Sequence, residues 1–179
     1  MAEQLSFQIE SGGSIPTSPL QLEIKEIGVR GACLLNEKWH SRLPKIDWSN
    51  VVRNRHYICF GAMYDNHWLA VGIWSSPVNQ AFDMENVLEL RRMAIAPEAP
   101  KNTASRMIRI MIALIRKRLP NIKRLISYQD TEVHRGTIYK ASGWEAVTKV
   151  AYRAWDKTRQ RAVSQSGADK IRWEYLLGQ

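Results

Sequence analysis

Between Val87 and Gln129 the chain reads strand, helix, strand, and this unit limits the fold more than any other stretch. Val87 to Ile95 alternates Leu88, Leu90 and Ala94 on one period-2 pattern. After Pro97 and Pro100, Ile108, Met111, Ile112, Ile115 and Leu119 recur at helical spacing, with Arg106, Arg109 and Arg116 facing elsewhere, until Pro120 stops the run. Leu125 to Gln129 then resumes as a strand. Two strands joined by one helix lie parallel, because the chain must cross a sheet face to return. A ligand crevice is expected where these two strands diverge.

The flanking segments extend the same sheet. Leu22, Ile24 and Ile27 suggest a short strand, and Gly31 to Leu43 a helix ending before Pro44. Tyr57–Tyr64 and Trp68–Trp74 read as two strands around an Asp65-Asn66 turn. Val133 to Ser142 suggests a short helix closed by Gly143. Strands around Trp144–Trp155 and Ile171–Leu177 finish the chain, with a polar connection over 156–169. Residues 1–20 are polar and turn-rich and are expected to form a leader before a single domain spanning 21–179. The expected fold class is α/β: a mixed, mostly antiparallel twisted sheet flanked by helices.

Charge supplies the first functional hint. The chain carries 26 Lys and Arg against 17 Asp and Glu, a net +9. Between Glu98 and Asp130 there is no acid, while Lys101, Arg106, Arg109, Arg116, Lys117, Arg118, Lys123 and Arg124 are all basic. Lys149, Arg153, Lys157, Arg159, Arg161, Lys170 and Arg172 add to the C-terminal part. Such asymmetry suits a polyphosphate partner, nucleic acid or nucleotide cofactor, and Arg106, Arg109, Arg116 and Lys117 are the candidate DNA contacts on the long helix. A merely solvated basic surface is the plainer alternative.

The apolar run Met107–Ile115 is interrupted by Arg109 and is far shorter than the roughly 20 residues of a membrane span. No basic start or apolar run marks the N-terminus as a signal peptide. Cys33 and Cys59 read as reduced core residues, which places the expected location in the cytoplasm of a host cell, away from membranes.

Two segments resemble the GNAT acyltransferases. Leu88-Glu-Leu-Arg-Arg-Met-Ala-Ile-Ala-Pro97 leads into a loop and the long helix, as does the strand that precedes the pyrophosphate loop in that family. His134-Arg-Gly-Thr-Ile-Tyr-Lys-Ala-Ser-Gly-Trp144 is similar to a helix ending in Tyr-x-x-x-Gly-aromatic, whose tyrosine often protonates the leaving thiolate. The usual loop carries Gly-x-Gly or Gly-x-Ala; Ala99-Pro-Lys-Asn-Thr-Ala-Ser105 has no glycine, leaving Asn102 to adopt the conformation and Lys101 to add charge.

A finer resemblance covers most of residues 31–144. Trp39-His-Ser-Arg-Leu-Pro44, Glu89 to Ser105 and Ile126 to Trp144 resemble the Mom family of phage proteins. Those convert adenine to its N6-carbamoylmethyl form and shield phage DNA from restriction. The resemblance implies a GNAT-like transferase acting on double-stranded DNA with an extruded adenine. The alternative is an acyl-CoA-dependent N-acetyltransferase acting on a protein or small amine. The donor stays open between acetyl-CoA and a glycine-derived compound, and homodimerisation stays open too.

On these readings the candidate catalytic residues are Asp130, Tyr139, Ser105 and His40. Asp130 either caps the following helix or accepts a proton from the adenine amino group. Tyr139 either packs on Trp144 or acts as a phenol acid. Ser105 starts the long helix or faces the phosphates. His40 is an ordinary surface or satisfied core histidine, or it lines the pocket with Trp39, or it joins a metal assembled from distant residues, since the histidines show no zinc spacing. Candidate substrate or cofactor contacts are Arg91, Arg92, Lys101, Asn102, Thr103 and Tyr57, the last able to stack on a base, as is Tyr64. Arg91 and Arg92 are neighbours on a strand and should point to opposite faces, one of them into the crevice.

Overall fold

The computed structural model describes residues 15–40, 45–151 and 169–178. Their core is a seven-stranded sheet in the order β1-β2-β3-β4-β5-β7-β6, formed by β1 Glu23–Glu26, β2 Tyr57–Tyr64, β3 His67–Ser75, β4 Val87–Ile95, β5 Arg124–Asp130, β6 Glu145–Val150 and β7 Lys170–Leu176. Every neighbouring pair is antiparallel except β4–β5, as the strand-helix-strand unit requires. Asp65 and Asn66 both hold positive φ (46° and 60°), the backbone that a two-residue hairpin between twisted strands needs.

Helices cover both faces. On one lie α1, Val29–Trp39, and α2, Trp48–Val52, burying Ala32, Cys33, Leu35 and Val51 against Cys59, Val71, Ile73 and Ala94. On the other lie α3, Thr103–Arg118, and α4, Thr137–Ala141. There Met107, Ile108, Met111, Ile112 and Ile115 pack on Phe60, Trp74, Leu88, Leu90 and Leu125. Alternation along the strands sorts side chains cleanly between these two cores. At Gly72 α3 approaches so closely that an added Cβ would stand 2.7 Å from Met111 Sδ. Burial lifts the Cys33 thiol to about 11 and Cys59 to about 12, so both remain protonated packing residues near neutral pH.

Several boundaries differ from the sequence expectation. The first helix starts at Val29, two residues early, because Gly28 in extended backbone serves as its N-cap, and it ends at Trp39 with His40 as C-cap. The last short helix starts at Thr137 instead of Val133, because Gly136 holds φ 70° and begins it. Helix α2, capped by Asp47 through Ser49 N, has no counterpart in the sequence expectation. Ser18 caps a single 3-10 turn, Pro19–Gln21, at the end of the expected leader. The remainder of that leader (1–14), residues 41–44 and the connection from 152 to 168 lie outside the described residues.

Candidate active site at the β4–β5 opening

Strands β4 and β5 pair only from Val87↔Arg124 to Leu90↔Ser127. Beyond that rung β4 continues against β3 alone, and β5 against β7 alone. The sheet therefore opens into a slot between Arg91–Ile95 and Tyr128–Asp130, at the expected divergence of the two strands. The slot has one side toward each helical layer, and the two sides differ in chemistry.

On the α3/α4 side the groups are tightly engaged. Ser127 Oγ donates to the carbonyl of Leu90, across the last rung, at 3.3 Å and lies 2.8 Å from Tyr139 Oη. With the serine proton so used, the phenol donates to the serine oxygen. Tyr139 stacks on Trp173 at 5.3 Å and meets Trp144 edge-on at 5.6 Å. Burial pushes its pKa up, with the Ser127 hydrogen bond opposing, so it stays a protonated phenol. Trp173 Nε1 donates to Gln129 Oε1 at 2.8 Å, and Gln129 Nε2 donates to the His134 carbonyl. Gly136 seals this corner: a Cβ there would lie 2.5 Å from both Gln129 Oε1 and Trp173 Cζ2.

The turn before α3 adjoins the same side, for Ser142 Oγ donates to Ser105 O at 3.2 Å. Asn102 occupies the left-handed region at φ 67° and is the N-cap, so asparagine supplies the backbone shape that glycine would otherwise give. Thr103 Oγ1 donates to the Pro100 carbonyl at 2.7 Å and Ser105 Oγ to the Asn102 carbonyl at 3.1 Å. Both hydroxyls thus brace the turn. No acid occupies the first turn of α3, Lys101 precedes it, and the helix dipole adds positive potential.

The α1/α2 side carries the charge. At Arg91 strand β4 bulges: Ile73 pairs with Arg92 and Trp74 with Leu90, leaving Arg91 as the extra residue. Arg92 therefore lies opposite Ile73, on the α1 side. Arg91 turns to the same side, donating to Ser75 Oγ at 3.1 Å with its Nε 3.6 Å from Glu89 Oε1. The expectation that the two arginines face opposite ways is overturned by this one inserted residue. Glu89 is 7% exposed, accepts from Val78 N at 3.0 Å, and has its pKa raised by burial against the pull of Val78 N–H, Arg91, Arg92 and Lys170.

Asp130 ends β5 on this same side by alternation with Tyr128. Its Oδ1 accepts from Glu132 N at 3.0 Å, so it caps the turn leaving the strand and not the helix α4, whose N-cap is Gly136. His40 closes α1, donating its backbone N–H to Asn36 O at 2.8 Å, and its imidazole feels both Arg92 and His134. Burial, then Arg92, then His134 hold its pKa below the usual histidine value, so it is neutral near pH 7. His134 is exposed after Asp130 and tied to it by a 3.1 Å backbone bond; sequence spacing weighs it only as a metal ligand. Glu89 is absent from the sequence candidates; an acid beside two arginines in an otherwise apolar strand is the signal that could have found it.

Other candidates fall elsewhere. Tyr57 is 43% exposed at the start of β2, paired through Ser75 with the closed end of the slot. Arg106 donates to the Leu22 carbonyl at 3.1 Å and so ties α3 to the segment entering β1. Arg109, Arg116 and Lys117 share the outer surface of α3, Arg116 lying over the Tyr175 ring. Among the described residues no three His, Cys, Asp or Glu side chains converge as a metal site, and no helix is long and apolar enough to cross a membrane.

A family model described as the Mom protein family matches residues 21–177. The chain belongs to the Mom family. Searching the curated proteins finds no match. Among solved structures this Mom-family chain is similar to GNAT acetyltransferases at the level of the fold. The ribosomal-protein-S18-alanine N-acetyltransferase from Escherichia coli superposes with a TM-score of 0.62 at 13% identity, over 88% of this chain and 95% of its own. The spermidine N-acetyltransferase from Vibrio cholerae, in complex with CoA and spermine, gives 0.62 at 14% identity, over 88% and 96%. A GNAT-family acetyltransferase from Streptococcus pneumoniae gives 0.62 at 12%, over 88% and 99%. The mixed, mostly antiparallel sheet of the Mom-family chain is thus the GNAT fold, with its slot between the two parallel strands.

Proposed function

We propose that the chain is a phage DNA-modifying transferase that converts adenine in DNA to N6-carbamoylmethyladenine, with protection from restriction as the consequence. The match of residues 21–177 to the Mom family carries this reading. Adenine N6 inside a paired stack cannot be approached in line, so the base must leave the duplex. The slot offers it the α1/α2 side, where Asp130, Arg92 and the neutral His40 lie. The exposed Arg30, Lys38 and Arg53 on and beside α1 and α2 meet the flanking phosphates, with Arg30 lying 4.2 Å over the exposed Trp48 ring. The Arg109, Arg116 and Lys117 stripe on α3 adds longer-range attraction to the polyanion.

In the reaction a bond forms between N6 and a carbon of the two-carbon unit while that carbon's bond to its leaving group breaks. The N6 lone pair is delocalised into the ring, so Asp130 orients the amino group and takes its proton, with the neutral His40 on the same side of the slot as a second acceptor. Tyr139, positioned by Ser127 Oγ, gives its phenol proton to the leaving group and is reprotonated from solvent after product release. The glycine-less turn at Lys101–Ser105 fits a polyphosphate, since Asn102 supplies the left-handed residue and no acid opposes the helix terminus. Because the new bond runs through the CH2 carbon, the donor must carry its leaving group on that carbon and already hold the amide nitrogen, which a glycine-derived unit can do; acyl transfer from an acetyl-CoA thioester would leave an N6-acetyl group instead.

Nucleoside mass spectrometry of DNA from cells making the chain tests the reading. The expected result is an adenine nucleoside heavier by one carbamoylmethyl group. A glycyl amide has the same composition, so fragmentation must show the side group attached through its CH2 carbon. Unmodified DNA beside abundant soluble chain would refute the reading. Acetylated protein or amine in those cells would favour an acyl-CoA-dependent N-acetyltransferase, the reading that the GNAT neighbours support.

A further inference from the structure

Among the described residues, two buried nitrogens at the slot have no hydrogen-bond partner: Nε of Arg92 and Nδ1 of His40. A buried donor or ring nitrogen left unpaired typically costs about 1–3 kcal/mol, so such groups either store strain or wait for a ligand. Arg92 spends its Nη1 on the carbonyl of its neighbour Arg91 at 2.8 Å, which leaves most of a five-donor fork unused among the described residues. The acid closest in sequence, Glu89, is engaged by Val78 N–H and by Arg91. The bulge turns Arg92 to the side of the sheet that α1 covers, where its charge acts on His40, the C-cap of α1.

We propose that Arg92, with His40 and His134, is a receptor for a single oxyanion of carboxylate or phosphodiester type, carried by one of the reactants. This rests on the reading of the slot as the reaction site. Burial and the like charge of Arg91 both disfavour the Arg92 guanidinium, and an anion placed on its fork would relieve both effects. His40, held neutral, can donate from one ring nitrogen without adding a second buried charge. His134 sits at the exposed rim, where it meets whatever enters. A guanidinium fork matches two oxygens of one group, so the site reads a planar or tetrahedral oxyanion and not a halide. Its position across the slot from the α3 turn separates it from any anion held at Lys101–Ser105.

The test uses the full chain and small probes: dimethyl phosphate for a nucleic-acid phosphodiester and acetate for the carboxylate of a small reactant. Imidazole resonances of the four histidines, assigned through single His→Gln variants, are followed by NMR at constant ionic strength. His40 and His134 should shift saturably, while His56, just before β2, and His67, at the start of β3, should not. Arg92→Gln should abolish saturation, and Arg92→Lys, which keeps charge and loses the fork, should weaken it about tenfold. An unchanged amide spectrum shows that each variant folds. The probe that binds more tightly names the source of the anion. Shifts that are linear and equal at all four histidines, or saturation that persists in Arg92→Gln, would overturn the proposal. This readout needs no DNA modification, so it stands or falls separately from the transfer reaction.

Discussion

The two sides of the sheet meet at the same slot with opposite habits. On the α3/α4 side, Tyr139, Ser127, Gln129 and Trp173 form an aromatic corner whose polar atoms bond to one another. Trp144 Nε1 is the exception there among the described residues. On the α1/α2 side, Arg92 and His40 carry buried nitrogens without partners among the described residues, and Glu89 is buried beside two arginines. A self-satisfied corner is rigid and specifies geometry, whereas unmatched polar groups cost stability and are retained where something else completes them. On the proposed reading the first side holds the donor and a proton, and the second receives the base.

The largest expected effect falls on the receiving side. Asp130→Asn keeps an oxygen for Glu132 N, so stability should change by at most about 1 kcal/mol. Modification should fall about 10²–10⁴-fold once the proton acceptor is gone. Nucleoside analysis beside a thermal melt checks both; an active Asp130→Asn would make the residue a turn cap only. Next comes the rigid corner. Gly136→Ala places a methyl 2.5 Å from Gln129 and Trp173 at φ 70°, and should cost about 2–5 kcal/mol in a denaturant titration. Tyr139→Phe should keep the ring stacking, lower stability by about 1 kcal/mol, and slow transfer about 10²-fold.

Smaller effects separate the charged surfaces. Reversing Arg30 and Arg53 to Glu should reduce the slope of log affinity against log salt by about 0.9 for each phosphate no longer neutralised. Reversing Arg109, Arg116 and Lys117 should slow association more than it changes that slope; the opposite ranking would move the DNA to α3. The smallest effect is on pH. Because the pKa of His40 is lowered on folding, its contribution is fully present above the unfolded value near 6.5 and is lost as pH falls through the lowered one. His40→Gln should flatten this part of the stability profile below about pH 6.5.

The parts of the molecule legible in the sequence are those ruled by local periodicity or by a turn that only certain residues tolerate. Asp65-Asn66 announces the hairpin through its positive φ, and the spacing of Ile108, Met111, Ile112 and Ile115 announces α3 and hence the parallel pair. Arg91 shows the limit. Period-2 reasoning assumes an unbroken ladder, and one bulged residue moves both arginines to one face. The start of α4 is misplaced when Gly136 is counted as helix interior, because its left-handed backbone begins the helix. His40, Arg92 and His134 come from three distant segments, so only the folded sheet brings their fields together.

Amide shift mapping on the labelled full chain tests the division of the slot most directly. A short adenine-containing single strand and coenzyme A are added separately. The oligonucleotide should move His40, Arg92 and Asp130, and coenzyme A should move Lys101 to Ser105 without disturbing the first set. Both ligands moving the same residues, or the oligonucleotide moving only the outer face of α3, would contradict a slot divided between donor and base.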